Sequence, residues 1–346
     1  MPLLDAGEPQ ALAQAAAHLA AGELLAFPTE TVYGLGARAD DDAAVARIFA
    51  AKGRPRAHPL IVHTADTAAA QAFAAGWPDA AQRLAAAFWP GPLTLILPRR
   101  PGMASAAAGG HASIGLRCPA HPVAQALLNA AGALGVAGVA APSANRFGRI
   151  SPTRASHVQA EFGPDLLVLD GGACELGIES AIVDCTRERP VLLRPGVLTR
   201  ARIEAAAKEA LAPSNGRAAA APGTLAKHYA PGARLRLMST ASLKAALPLS
   251  GEEASRVAVY SRTALASPGL LVRAMPQAAD ASGQDLFAAL RELDATGVPL
   301  IWVEEPPESP EWEGVRDRLQ RAAAAVDDLR DAAAATQSNR TLLNGS

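Results

Sequence analysis

Lysine is scarce in this chain and paired cysteine is absent. Four lysines stand against 28 arginines, and the formal net charge is −1. The molecule as a whole is therefore no polyanion binder, and any anion site must be a local concentration of positive charge. The three cysteines, Cys118, Cys174 and Cys185, include no C-x-x-C pair. That excludes a thiolate zinc cluster, leaves one thiol over from any disulfide frame and suits a reducing compartment. G-x-x-x-x-G-K-[ST], H-E-x-x-H and G-x-S-x-G do not occur, and "GLGARA" lacks the third glycine of a dinucleotide fingerprint. The P-loop, zinc-protease and serine-hydrolase chemistries thus have no local support. Between Pro119 and Asn145 only His121 can carry charge, but Gln125, Asn129 and Pro142 interrupt the run. It reads as a helix, a glycine turn and a buried strand rather than a membrane span. The opening "MPLLDAGEPQ" puts Asp5 and Glu8 where a secretory leader would be basic. The expectation is a cytoplasmic protein without a membrane segment.

What the chain does have is alternation. With 346 residues, half of them hydrophobic and 19% charged, it is long enough for two domains of globular composition. "PQALAQAAAHLAAG" reads as a helix closed by Gly22, and "DDAAVARIFAAK" as a helix with an acidic cap. "ELLAFP", "LIVHT", "PLTLILP", "ASIGLR", "GVAGVAAP", "DLLVLDGG", "ESAIVDC" and "PVLLRPG" read as strands between helices. Residues 211–232, rich in Pro, Gly, Ser and Asn, read as a linker, followed by further strands and a closing helix near 312–332. The expected fold is α/β. A domain over 1–210 carries a twisted mixed sheet with helices, 211–232 is a linker and active-site lid, and 233–346 is a smaller Rossmann-like α/β domain.

Polar signatures gather at strand ends. "KGRPRAHPLIVH" sets Lys52, Arg54 and Arg56 just before a strand. Arginine forks and a lysine point charge suit phosphate or carboxylate oxygens, although cations after a helix C-terminus also serve the helix dipole. "FPTETVYGLG" follows a strand with Thr29, Glu30 and Thr31, and Gly34 and Gly36 let a ligand approach the backbone; a threonine-built corner is the alternative. "APSANRFGRISPT" offers Ser143, Asn145, Ser151 and Thr153, either for phosphate and ribose oxygens or as a polar turn. Arg117, Arg194 and the pair Glu179–Ser180 sit at three more strand ends. Such groups converge at one edge of a sheet, where α/β proteins bind ligands. The residues describe a phosphate-plus-carboxylate pocket and name no reaction.

"PTETVYGLG", "KGRP…PLIVH", "PGPLTLIL", "IGLRCP", "APSANRFGRISPT", "GIESAIVD", "LRPG" and "HYAPG" occur in the order seen in the Sua5/YrdC/YciO family. The chain most resembles its two-domain Sua5 type, strongly over residues 9–232. The resemblance implies a nucleotidyltransferase that condenses L-threonine, bicarbonate and ATP, with Mg2+ on the phosphates and no protein-held metal, into L-threonylcarbamoyladenylate and pyrophosphate. A tRNA threonylcarbamoyl transferase complex would then use the product to make t6A at position 37 of tRNA. It further implies that Thr31, His63, Arg117, Ala141 (through its backbone) and Ser180 form a threonine pocket. Lys52, Arg54, His58, Ser113, Ser143, Asn145, Ser151 and Arg194 would hold ATP, with Lys52, Arg54, Ser143 and Asn145 nearest the chemistry. His228 and Tyr229 of the linker would touch the nucleotide. His58 stands where the family usually has Asn, and "PGTLAKHYAP" departs from the family's linker pattern before His228.

Two rival readings remain. Domains of this type are thought to suit double-stranded RNA, but RNA binding needs spread cations, and the low lysine count and near-zero net charge oppose it; weak contact with tRNA stays open. Carbamoyl transfer, as in hydrogenase-maturation proteins with a related domain, goes with zinc fingers, for which the required C-x-x-C pairs are missing.

Overall fold

The computed structural model describes residues 3–214, 219–223, 228–249, 251–263 and 269–324. The chain begins with β1 (Leu3–Asp5), α1 (Ala11–Ala20), β2 (Leu25–Phe27), β3 (Gly34–Arg38) and α2 (Asp42–Lys52). Then come β4 (Ile61–His63), α3 (Thr67–Gln71), α4 (Asp79–Phe88), β5 (Leu93–Pro98) and β6 (Ser113–Arg117). The first part closes with α5 (Pro122–Ala133), β7 (Val139–Ala140), α6 (Ala155–Phe162), β8 (Leu167–Asp170), β9 (Ala181–Asp184), β10 (Val191–Arg194) and α7 (Arg200–Ala207). Its ten strands form one mixed sheet in the order β1-β8-β2-β3-β7-β4-β6-β5-β9-β10. The second part holds β11 (Arg234–Met238), α8 (Thr240–Ala246), β12 (Val257–Ser261), β13 (Leu271–Ala274), α9 (Ala279–Ala295), β14 (Leu300–Glu304) and α10 (Glu313–Ala324). Its four strands pair all-parallel in the order β11-β14-β12-β13. The expected α/β class with a large mixed sheet and a smaller parallel one is therefore what the chain adopts.

Local chemistry explains several boundaries. Asp41 caps α2 by accepting from the N–H groups of Ala43 and Ala44, and Gly53 ends the helix at φ 64°. Short β1, which pairs with β8, was not expected from the sequence, since three residues give no periodicity to read. The closing helix reaches Ala324; the expectation that it runs to 332, like residues 215–218 and 224–227 of the linker, lies outside the described residues.

The two faces of the large sheet are covered unequally. Val62, Leu95, Leu116 and Val183 pack on one face against α2, α4, α6 and α7. On the other face α1 and α5 cover Leu25, Phe27, Val139 and Leu169. That cover stops short of Ile61, Ile96 and Ile182, which pack, among the described residues, with Leu193, Ala219 and Ala221. Alternation along β4 puts Ile61 and His63 on this less covered face and Val62 on the other. The second part docks beside it, and one apolar core joins Val32, Ile150 and Ile178 to α9 and α10. Among the described residues no helix is long and apolar enough to cross a membrane.

Candidate active site

A small cavity, about 50 Å3, lies over Ile61. Its wall includes Thr31, Arg54, His63, Arg117, Ala141, Ser143, Ser180, Arg194, His228 and Tyr229, ten of the fifteen residues expected to bind substrate. The strand-end polar groups, expected to converge at one edge of the sheet, converge over its face instead. The ladder sets His63 beside Arg117 on parallel β4 and β6, so the polar groups share a sheet face that α1 and α5 leave uncovered.

The Arg117 side of the cavity is prearranged. Arg117 donates from Nη1 to Thr31 Oγ1 at 2.9 Å, and Thr31 Oγ1 lies 2.8 Å from Thr29 Oγ1. Behind the guanidinium, Glu30 Oε1 approaches Nη2 at 2.8 Å, with both side chains buried. The angle there falls outside hydrogen-bond geometry, so the pair is an ionic contact. The N–H of Ala141 donates to Ile61 O at 2.9 Å. Ser180 Oγ lies 2.8 Å from Thr94 Oγ1 and accepts from Arg194 Nη2 at 3.2 Å.

The cationic segment divides three ways. Arg54 lines the cavity, donates from Nη2 to Pro59 O at 3.0 Å and lies over the Phe147 ring; burial lowers its pKa to about 10. Lys52 does not reach the cavity wall. Its ammonium donates to Ser143 O at 2.6 Å and to Asn145 O, pinning the backbone of the S-x-N loop. Burial first, then Arg54, pushes its pKa well down. Arg56 is exposed on a separate surface hollow beside Ser105 and Gly109, so the three cations do not act as one clamp.

Of the other expected residues, Asn145, Ser151, His58 and Ser113, like Lys52, lie off the wall. Asn145 is buried; its amide donates to Arg146 O and Arg149 O, and its Oδ1 has no hydrogen-bond partner among the described residues. Ser151 donates to Glu179 Oε1 at 2.5 Å. His58, half-buried, holds its ring tilted 53° to that of Phe147 with centroids 5.6 Å apart, and Ser113, half-buried at the start of β6, pairs with Pro98; neither lines the cavity. His228 and Tyr229 close it, with the Tyr229 ring stacked on Phe287 of α9 at 5.4 Å. His63 Nδ1, His228 Nδ1 and the Tyr229 hydroxyl also lack partners among the described residues. Buried polar atoms left unpaired around one cavity mark where a polar ligand belongs.

Two expectations change. Gly34 lines the cavity, but Gly36 has another purpose: a Cβ there would sit 2.8 Å from Phe27 and Val139 side chains, so its missing side chain serves strand packing. Sequence reasoning also missed Arg318 of α10, a fully buried cation that pairs with Glu179 across the two parts at 2.9 Å. One arginine among 28, over a hundred residues from its partner, carries no local signal.

Burial with Arg117 nearby brings the His63 pKa down to about 3, and burial does the same to His228. Between pH 6.5 and 3 the unfolded chain then binds more protons than the native one, so stability falls as pH falls. We expect acidification from pH 7.5 to 5 to cost on the order of 2 kcal/mol per histidine. Melting curves of wild type and His63→Gln check this. The variant should show the shallower pH slope, and identical slopes would remove His63 from the linkage.

Residues 17–196 match the Sua5/YciO/YrdC family model, described as "Telomere recombination". Residues 198–324 match the one described as "Threonylcarbamoyl-AMP synthase, C-terminal domain". A relative in Pyrococcus abyssi named threonylcarbamoyl-AMP synthase is 38% identical, covering 89% of this chain and 93% of its own. A solved structure described as P. abyssi Sua5 complexed with L-threonine superposes with a TM-score of 0.86 at 35% identity, covering 94% of this chain and 98% of that one. A shorter relative of the same name in Chromohalobacter salexigens is 40% identical; its match takes up 84% of its own length but only 46% of this chain. The superposition and both matched regions agree: the chain belongs to the Sua5/YrdC/YciO family and is of its two-part Sua5 type.

Proposed function

We infer that this chain is a threonylcarbamoyl-AMP synthase, an enzyme that takes L-threonine and ATP as substrates. The observation that carries this is the cavity itself. Three buried arginines, Arg54, Arg117 and Arg194, face one another beside small hydroxyls in a wall with Glu179 as its acid. Two anionic reactants must be brought together, and fixed positive charge in a water-poor site does that without reorganising.

In this reading bicarbonate supplies the carboxyl group. The threonine amine takes it up as a carbamate with loss of water, a carbamate oxygen attacks the α-phosphorus of ATP, and pyrophosphate leaves. Arg117 and Thr31 hold the amino acid's carboxylate, and Ser180 and the Ala141 carbonyl read its polar groups. Arg54 and Arg194 balance the phosphates, while Lys52 keeps the S-x-N loop in place. Mg2+ fits as a companion of the triphosphate: Glu179 and Glu30, the nearby carboxylates, are already ion-paired with Arg318 and Arg117. When bound it supplies further charge neutralisation.

The division into a catalytic part over 1–210, a strap over 211–232 and a smaller part over 233–346 belongs to the same proposal. It is supported by the two separate sheets and by Pro222, Gly223, His228 and Tyr229, the described flanks of the strap, which wall the cavity. The product, a mixed anhydride prone to hydrolysis, would pass in the cytoplasm to a tRNA-modifying transferase complex that makes t6A.

Pyrophosphate release from ATP, with and without L-threonine and bicarbonate, tests the reading. Release that needs both, together with a product of threonylcarbamoyl-AMP mass, is expected. ATP turnover indifferent to threonine would discard the substrate assignment.

A further inference from the structure

We propose that Arg318, in the second part of the chain, is a positioning residue of the active site: it sets the Glu179–Ser180 turn and thereby the affinity for the amino-acid substrate. The claim concerns the site read above as a threonine pocket and rests on that reading for its substrate.

Arg318 is among the largest fully buried side chains of the molecule. It uses its whole fork across the boundary between the two parts. Nε donates to Glu179 Oε2 at 2.9 Å, Nη2 to Glu179 O at 3.0 Å and Nη1 to Pro195 O at 2.8 Å. Asp317 on the same helix accepts from Nη1 at 2.9 Å. A side chain that grips both the carboxylate and the backbone carbonyl of one residue fixes that residue's conformation as well as its charge.

The gripped residue leads straight into the pocket. Glu179 and Ser180 both line the cavity. Arg194, beside Pro195, donates from Nε to Ser180 O at 3.0 Å and from Nη1 to Pro222 O at 3.1 Å. Arg318 therefore holds the two strand ends that frame Ser180. Its guanidinium also lies 5.5 Å from the Tyr229 ring centroid, so it backs the strap as well.

The backbone is shaped for this approach. A Cβ on Gly314, one turn before Arg318, would sit 2.7 Å from Gly196 O. Only glycine lets α10 come close enough to deliver the fork. The shorter Chromohalobacter relative, whose match spans 46% of this chain, has no room for both parts, so the synthase name does not require this arginine in general. In this chain the turn has been given over to it.

The test uses the full chain with Arg318→Met, Arg318→Lys and Gly314→Ala. Steady-state pyrophosphate release with threonine and ATP varied separately should show KM for threonine raised tenfold or more in Arg318→Met, with KM for ATP changed less than threefold. Arg318→Lys, which keeps charge but loses the fork, should fall between. Gly314→Ala, which displaces the helix and leaves every charge in place, should raise the threonine KM in the same direction. Because KM does not depend on the folded fraction, a merely structural arginine would lower yield and leave it unmoved. Unchanged threonine KM in the folded variants overturns the proposal, and if Arg318→Met does not fold, the other two decide it. Hydrogen exchange at residues 179–181 gives a readout free of substrate identity. It should quicken in the variants, and unchanged exchange there overturns the claim even if wild type proves indifferent to threonine.

Discussion

Arg54→Ala is expected to lower kcat/KM for ATP by roughly 30- to 1000-fold, about 2–4 kcal/mol of transition-state stabilisation, with a smaller loss of stability than Lys52→Ala. The side chain faces the cavity, lies over the Phe147 ring and bonds two backbone carbonyls, at His58 and Pro59; water entering the vacated side of the cavity can reach both acceptors, and α2 and β4 still anchor the loop. Lys52→Ala is expected to behave differently, although the two cations stand two residues apart. Its ammonium, away from the cavity wall, holds the carbonyls of Ser143 and Asn145, so removing it strands one buried and one half-buried acceptor, a loss of about 1–3 kcal/mol for a buried group left unsatisfied. Activity and melting temperature should fall together for Lys52→Ala, whereas in Arg54→Ala the fall in activity should far exceed what its fall in melting temperature accounts for. Pyrophosphate release against ATP concentration, with a melting curve for each variant, makes the comparison. Near-normal turnover in Arg54→Ala would remove that residue from the phosphate side. A Lys52→Ala protein that melts like wild type but cannot use ATP would give the lysine a direct role that its present contacts do not.

That contrast shows what could be read in the sequence. The presence of cations beside β4 was legible, because K-x-R-x-R before a strand is a local pattern. Their separate duties were not, because those depend on where a helix C-terminus, a left-handed glycine and a distant loop place each side chain. Gly53 turns the chain at φ 64°, leaving Lys52 on the buried side of α2 and Arg56 in solvent. Strand-end motifs gave most of the cavity wall, since His63, Arg117, Ser180 and Arg194 each end or begin an apolar run. The face on which they meet depends on sheet order, and β4 lies between β7 and β6, a crossover that no short window of sequence can show. The contacts hardest to read were the longest in sequence. Arg318 meets Glu179 across 139 positions, and nothing near either residue announces the other.

Arg117 carries the other large expected effect, and a double variant separates its two duties. Arg117→Met alone should nearly abolish threonine-dependent turnover and also destabilise the fold by about 3–5 kcal/mol, because it leaves the Glu30 carboxylate buried and unpaired. Glu30→Gln in the same chain removes that stranded charge. The double variant Arg117→Met/Glu30→Gln should regain most of the lost stability, since replacing both members of a buried ion pair with neutral groups is far cheaper than removing one. It should not regain threonine use, because Nη1 and its Thr31 contact, which face the cavity, are still gone. Thermal unfolding and the threonine dependence of pyrophosphate release, taken on wild type, both single variants and the double, close the cycle. Recovery of stability without recovery of threonine dependence assigns Arg117 to the substrate's carboxylate and Glu30 to holding Arg117 from behind. If threonine dependence returns with stability, Arg117 only braces the fold, and the carboxylate must be met by another cation of the wall, such as Arg194, which bonds Ser180.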